Sequence, residues 1–380
     1  MIEIFKGAIE RGASDIHIQA GDNVRARIPG KLVPVTQQKL TNEQVKALAM
    51  KLMPHERDRD RIDDLLDYDC SWGLPGLGRF RVNILRQRGS FMIVMRVIPI
   101  EIPSFADLKL PETLAKIADH ERGLILVTGV TGSGKSSTMA AMINWINQNK
   151  HVHIVTLENP IEFLHRDQKA SITQRDIGTD TPTFMAGLRS SLRQDPDVLL
   201  IGEMRDKETI DTALKAAETG HLVISTVHTK NAVQTISRLI AVFDPAEQEM
   251  IRIRLSEQLQ AVVSQRLIPT KDGKGRLAAC EIMPVTGTIR DCIKDSNRMD
   301  EIYDLIEEGG QTYGSQSFDQ ALMQMVKENK IDFRVALAAA NNPTDFDLKM
   351  NTFGDSGASG ANAGGPAQGY GEDMHRMFGG

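Results

Sequence analysis

The sequence predicts an α/β protein: a parallel sheet covered by helices on both faces, preceded by a small α+β unit and followed by a helical C-terminal region. Three observations carry that expectation. Leu124–Val127, Val198–Ile201 and Leu222–Val227 are aliphatic runs without polar alternation, as strands buried on both faces require. Helical stretches separate them, the pattern of parallel strands joined by crossovers. Between the first run and a helix expected at Lys135–Asn149, the segment Gly129-Val-Thr-Gly-Ser-Gly134-Lys135-Ser136 fits G-x-x-x-x-G-K-[ST] without a mismatch. Together these describe a RecA-like P-loop core.

Composition narrows the class. The 380 residues predict two or three domains, and 41% hydrophobic with 25% charged residues is ordinary for a globular protein. A net charge of −5 and 5% aromatic residues give no support to a nucleic-acid partner, which needs a basic channel or a base-stacking set. Cys70, Cys280 and Cys292 show no C-x-x-C spacing, so neither a zinc site nor a disulfide framework is expected, and a reducing compartment is. MIEIFKGAIERG lacks a signal-peptide apolar stretch, and no run approaches the ~18 apolar residues of a membrane span. The expectation is a cytoplasmic protein without direct membrane insertion.

Taken in order, Ile2, Phe5 and Ile9 set a first helix that stops at Gly12. Asp15–Gln19 and Val24–Ile28 read as strands, and Thr41-Asn-Glu-Gln44 is a capping box for a helix to about Met53. Pro54–Leu66 reads as a second helix with a solvated charge run. Tyr68–Trp72, Arg79–Leu85 and Phe91–Ile98 alternate as an antiparallel meander. Residues 1–98 thus form one domain, and the prolines of 99–112 mark a linker. A core of 113–285 continues with strand His153–Glu158 and helices Thr183–Arg193, Lys207–Thr219, Ala232–Val242 and Pro245–Gln265, then strand Arg276–Met283. Helices near Thr286–Lys294, Met299–Glu307, Ser317–Glu328, Phe333–Ala340 and Pro343–Met350 fill 286–353. The Gly/Ala/Ser-rich 354–380 is expected to be a disordered tail.

The candidate chemistry sits at the carboxyl ends of the core strands, where open α/β sheets bind ligands. Curled glycine backbone and the start of the following helix aim N–H groups at one anion. Lys135 can reach the β- and γ-phosphates and Ser136 can ligate magnesium. Glu203 ends the strand DVLLIGE, where a carboxylate can orient attacking water; capping the next helix is its plain alternative. Glu158 and Glu162 follow the second core strand, with Pro160 keeping that segment out of helix. Seven strand residues span about 23 Å, so of His221 and His228 only the latter can sense the same phosphate. Arg79, Arg81, Arg86, Arg88 and Arg96 recur in the meander; one supplied to a phosphoryl group raises its rate greatly, while exposed solubilising arginines are the alternative.

ASDIHIQAG (13–21), GRFRVNILRQRG (78–89), GVTGSGKSS (129–137), TLENPIEFLH (156–165), SLRQDPDVLLIGEMRD (191–206) and AAETGHLVISTVHT (216–229), in this order, resemble the type IV pilus retraction (twitching motility) ATPases of the PilT/PilU type. These belong to the hexameric secretion-ATPase superfamily, and the resemblance covers residues 1–350. It implies a PAS-like N-terminal domain, a RecA-like ATPase core and a homohexamer, with ATP and Mg2+ bound between the domains. By the family pattern Gly129, Thr131, Gly132, Ser133, Gly134, Lys135, Ser136 and Ser137 bind nucleotide, joined by Arg79, Arg81 and Arg96. Glu162 is the catalytic glutamate of an acidic box, Glu203 an atypical Walker B residue, and His228 ends a His box. Ser136 and Glu158 are the implied magnesium side. Asn159 stands where the family's box usually carries Asp. The implied work is turning an inner-membrane pilus platform protein, beside a paralogous retraction ATPase. Pilus-extension and type II secretion ATPases, the nearest alternative, typically carry a four-cysteine zinc insert, which three scattered cysteines cannot make. A RecA-fold nucleic-acid translocase is the alternative of another class.

Overall fold

The structure, a computed structural model, describes residues 1–74, 78–98 and 101–355. Its N-terminal part runs α1 (Ile2–Glu10), β1 (Asp15–Gln19), β2 (Asn23–Ile28), β3 (Lys31–Lys39), α2 (Asn42–Leu52), a single turn α3 (Glu56–Arg59), β4 (Asp67–Leu74), β5 (Gly78–Gln87) and β6 (Ser90–Ile98). Among the described residues these strands make a six-stranded antiparallel sheet in the order β3-β2-β1-β6-β5-β4. One face is covered by α1 and α2, which bury Phe5, Val45, Ala49 and Leu52 against Ile16, Ile18, Phe80, Val82, Ile93 and Met95. The capping box at Thr41 is formed: its hydroxyl accepts from the Gln44 amide, and the Gln44 side chain accepts from the Thr41 amide.

The following part runs α4 (Thr113–Ala118), β7 (Gly123–Thr128), α5 (Lys135–Asn149), β8 (His153–Glu158), β9 (Ser171–Asp176), α6 (Phe184–Ser191), β10 (Val198–Ile201), α7 (Lys207–Glu218), β11 (Leu222–Val227), α8 (Ala232–Ala241), α9 (Gln248–Gln258), β12 (Leu259–Pro269) and β13 (Arg276–Pro284). Its sheet has the order β13-β12-β7-β11-β10-β8-β9, parallel except for β13. Every side chain of β7, β10 and β11 is buried, because helices pack both faces. Leu124 and Leu126 join α7, α8 and α9 on one side. Ile125 and Val127 meet α4 and α5 on the other. The C-terminal helices are α10 (Gly287–Lys294), α11 (Glu301–Glu308), the short α12 (Gly310–Tyr313), α13 (Phe318–Lys327), α14 (Phe333–Ala339) and α15 (Pro343–Asp355). Phe318, Leu322, Ile331 and Phe346 close a separate cluster over Ile268 and Leu277.

Two expected helices are corrected. Pro54–Leu66 holds only α3 followed by turns; Arg59 Nε donates to the Met53 carbonyl at 2.8 Å and Tyr68 Oη donates to Asp58, pinning the charge run as a loop. The helix expected over Pro245–Gln265 ends at Gln258, and the chain continues as β12 between β7 and β13. Val262 and Val263 are completely buried there, and sheet pairing on both sides outweighs the helical pattern that precedes them. β3 and β9 are strands the sequence reading did not find. The Gly-rich tail expected from 354 lies, beyond the end of α15, outside the described residues.

Candidate active site

The phosphate loop is built by close packing under its first glycine. Gly129 has φ 145°, and a Cβ there would lie 2.6 Å from the backbone oxygen of Gln265 in β12. Only glycine fits. Gly132 and Gly134 also take positive φ, 79° and 91°, which turns the loop into the first turn of α5. Amides at the start of a helix have no intrahelical acceptor, so the first turn of α5 brings donors to the loop. Ser133 is buried beneath the loop, while Thr131, Gly132, Gly134, Lys135, Ser136 and Ser137 line a cleft of ≈730 Å³.

Lys135 folds back so that Nζ donates to the carbonyls of Gly129 at 2.9 Å and Val130 at 3.0 Å. Burial lowers its pKa, opposed by the negative charges of Glu162 and Glu203. Lys135, Glu162 and Glu203 line the same cleft.

Glu203 is placed by β11. The Thr226 hydroxyl donates to the Gly202 carbonyl at 2.6 Å, and the Met204 amide donates to the Thr226 carbonyl at 3.1 Å. These bonds clamp the end of β10 to the end of β11, leaving Glu203 beside His228, Oε2 to Nε2 3.7 Å, and against Arg205 at 2.7 Å. Burial and the positive charge of Lys135 lower the His228 pKa; Glu203 partly offsets them. A neutral imidazole next to a carboxylate is the state favoured at neutral pH.

Glu158 is tied inward. Thr156 Oγ1 donates to its Oε1 at 2.7 Å and Gln174 Nε2 at 3.1 Å, while burial raises its pKa against those bonds. Glu162 is exposed on the same cleft, four residues further on. His165 also lines it, and burial pushes that imidazole down to about 4.

The opposite wall comes from the N-terminal sheet. Arg81 and Arg96 are exposed and line the cleft. Arg96 Nε is held at 2.9 Å by Asp15 Oδ1, and Arg81 has no side-chain partner among the described residues. Arg79 is elsewhere: its Nη2 donates to Asp176 Oδ2 at 2.8 Å. His221 is at the far end of β11, where Nδ1 lies 2.9 Å from the Ala216 carbonyl. That oxygen only accepts, so Nδ1 carries the proton and the ring ties β11 to α7.

Sequence reasoning missed several groups around this rim. Arg205, two residues after Glu203, pairs with it. Beside Gly134 and Ser137 lies a hollow of ≈340 Å³ lined by Leu108, Leu110, Leu267 and Leu277. The apolar character of PSFADLKLP was legible, but nothing local told that the linker and the β12–β13 hairpin would meet beside the phosphate loop.

A family model described as Type II/IV secretion system protein matches residues 1–334. The chain belongs to this family. Among Type II/IV secretion system proteins, it is 42% identical over 344 residues to the Pseudomonas aeruginosa protein named "Type IV pilus retractation ATPase PilT", covering 90% of this chain and 99% of that one. It is 39% identical over 358 residues to "Type IV pilus ATPase PilU" of the same organism, covering 94% and 92%. The crystal structure of the pilus retraction motor PilT with bound ADP superposes with a TM-score of 0.84 at 42% identity, over 92% of this chain and 99% of that one. The mixed α/β architecture is therefore that of a solved secretion-ATPase relative along nearly its whole length.

Proposed function

We propose that this chain is an ATP-hydrolysing motor that powers type IV pilus retraction, withdrawing pilin from the fibre base. One observation carries the reading: a single cleft has the phosphate loop, Glu203 and His228 on one wall and arginines of a separate sheet on the other. Nucleotide in that cleft touches both parts of the chain, so loss of its γ-phosphate changes how they are held together.

In this reading Lys135 exchanges the Gly129 and Val130 carbonyls for β- and γ-phosphate oxygens, and the loop amides cradle the rest. The hollow walled by Leu108, Leu110, Leu267 and Leu277 takes the adenine. Glu203 orients the attacking water, with Glu162 on the approach side as the acidic-box glutamate. His228 reports the γ-phosphate to the β11 end. Arg81 and Arg96 offset charge on the phosphoryl oxygens; Arg79 acts instead by holding the N-terminal sheet.

The residues present fit a nucleotide-borne Mg2+. Ser136 offers a hydroxyl, and Glu158 and Glu203 offer carboxylates that act through water. Among the described residues no three acidic, imidazole or thiol side chains gather into a metal cage, which suits an ion that keeps waters and phosphate oxygens as ligands. When bound it neutralises charge on the transferred phosphoryl group.

The working form is a homohexamer, divided as domain 1–98, linker 99–112, core 113–285 and helical region 286–353. Among the described residues no helix is long and apolar enough to cross a membrane. In this reading the chain works at the inner membrane on the pilus platform protein, beside a PilU-like paralogue. Purified chain is expected to release phosphate from ATP only with Mg2+ and to lose at least ~100-fold in Lys135→Ala. Equal turnover in the two proteins would overturn the site.

A further inference from the structure

A buried row of polar side chains crosses three strands beneath the phosphate loop. Thr128 of β7 is paired with Ser264 of β12, and Ser264 with Glu281 of β13. Directly paired residues share one face of a sheet, so the three side chains point the same way. Thr128 Oγ1 donates to Ser264 Oγ at 3.0 Å, and Ser264 Oγ donates to Glu281 Oε1 at 3.3 Å. The same carboxylate oxygen accepts the backbone N–H of Ala232 at 2.7 Å. Thr128, Ser264, Glu281 and Ala232 are each no more than 1% exposed.

The two ends of this row lead to two separate loops on the core wall of the cleft. Thr128 immediately precedes Gly129. Ala232 is the first residue of α8, four residues after His228. The loop between is anchored at one end by Val227, which pairs with Thr128 in the sheet, and at the other by Ala232 on Glu281. A serine hydroxyl has one proton; having accepted from Thr128 it must donate onward, and only an acceptor at 281 completes the row. Burying a carboxylate is unfavourable unless its partners compensate; here the start of α8 supplies an N–H and the positive end of a helix dipole. A hydrophobic residue of similar volume would meet no such demand, so what the carboxylate supplies is geometry rather than burial.

We propose that Glu281 is a positioning residue of the hydrolytic site, which holds the phosphate loop and the His228 loop in one fixed relation through Ser264 and Thr128 on one side and the Ala232 amide on the other. The inference rests on the ATPase reading above. Glu281 is buried and is not among the residues that line the cleft; it acts through the two loops.

The test is steady-state ATP hydrolysis by the full chain with Thr128→Val, Ser264→Ala, Glu281→Gln and Glu281→Met, together with amide hydrogen exchange without nucleotide. Glu281→Met is expected to lower kcat about tenfold or more with KM for ATP within about twofold. Glu281→Gln, which restores an acceptor oxygen, is expected to recover most of that loss. The double variant of Thr128→Val with Glu281→Met is expected to be no slower than Glu281→Met alone, since the two act on one row. Exchange is expected to rise at 129–134 and 228–232 together. Wild-type kcat in Glu281→Met, or losses that multiply in the double variant, would overturn the proposal. Should Glu281→Met fail to fold, Ser264→Ala decides by the same kcat and exchange readouts. Failure of the ATPase reading looks different: wild-type turnover no greater than Lys135→Ala. Exchange then still decides the row, since a rise at 228–232 alone breaks it without reference to turnover.

Discussion

Arg79 of the N-terminal sheet donates to Asp176 at the end of β9 across 2.8 Å, and Ser71 Oγ donates to the same carboxylate oxygen at 2.6 Å. Asp176 is 4% exposed at its side chain and Arg79 22%. This is a desolvated contact between the two sheets, made outside the nucleotide cleft. Arg79, expected from the sequence to meet phosphate, here joins the N-terminal sheet to β9 and is not among the residues that line the cleft.

Asp176→Ala leaves Arg79 without its carboxylate in a largely buried place, and removing one partner of such a pair costs about 3–5 kcal/mol. The denaturation midpoint is expected to fall accordingly, and KM for ATP to rise as the arginine wall loosens. An unchanged midpoint in chemical denaturation would show that the pair is idle.

Gly129→Ala is expected to abolish nucleotide binding, measured by titration calorimetry. The new Cβ would sit 2.6 Å from the Gln265 oxygen at φ 145°, and neither β12 nor the loop backbone can move cheaply. A stability loss of about 1–3 kcal/mol should accompany it.

Glu203→Gln is expected to bind ATP normally and turn it over ~100-fold or more slowly, the scale of losing a positioned carboxylate. The same substitution has a pH signature at His228. Burial and Lys135 hold that imidazole below its ordinary 6.5, and Glu203 raises it, so its titration midpoint should lie below 6.5 and move lower still in Glu203→Gln. Proton NMR of the imidazole reads both shifts, and an upward move would reverse the assignment.

Burial pushes the Glu281 carboxyl up to about 7 from an ordinary 4.5, against hydrogen bonds from Ala232 and Ser264 and the charge of Arg266 in β12; Asp319 in α13 adds to the rise. The folded chain therefore holds this proton more tightly than the unfolded chain. The resulting stability is fully present below about 4.5 and is lost as pH rises through about 7, on the order of 3 kcal/mol in all. Glu281→Gln should flatten the dependence of Tm on pH over that window.

Legibility in the sequence followed burial. β8, β10 and β11 have the bounds their aliphatic runs announce, because strands covered on both faces admit little else. β9 and β3 were hidden by the same logic: SITQRD and KLVPVTQQK are edge strands with mostly partly exposed or exposed side chains, so their sequences carry no run and little alternation. β12 was hidden by continuity, since RIRLSEQLQAVV passes from helix to strand with no breaker between. Missing β12 meant missing what lies under the phosphate loop, including Gln265 against Gly129 and Ser264 beside Thr128. The strand-end residues Glu158, Glu203 and His228 were legible from topology alone. Arg79 was not, because its partner Asp176 lies in a polar strand that gives no sign of facing another sheet.

Fibre retraction in living cells tests nucleotide-driven retraction most directly. A strain lacking this chain should still assemble type IV pili but fail to withdraw them. Wild-type chain should restore withdrawal, and Glu203→Gln, folded and hexameric, should not. Loss of the pili themselves, or full withdrawal with Glu203→Gln, would contradict a retraction motor driven from this cleft.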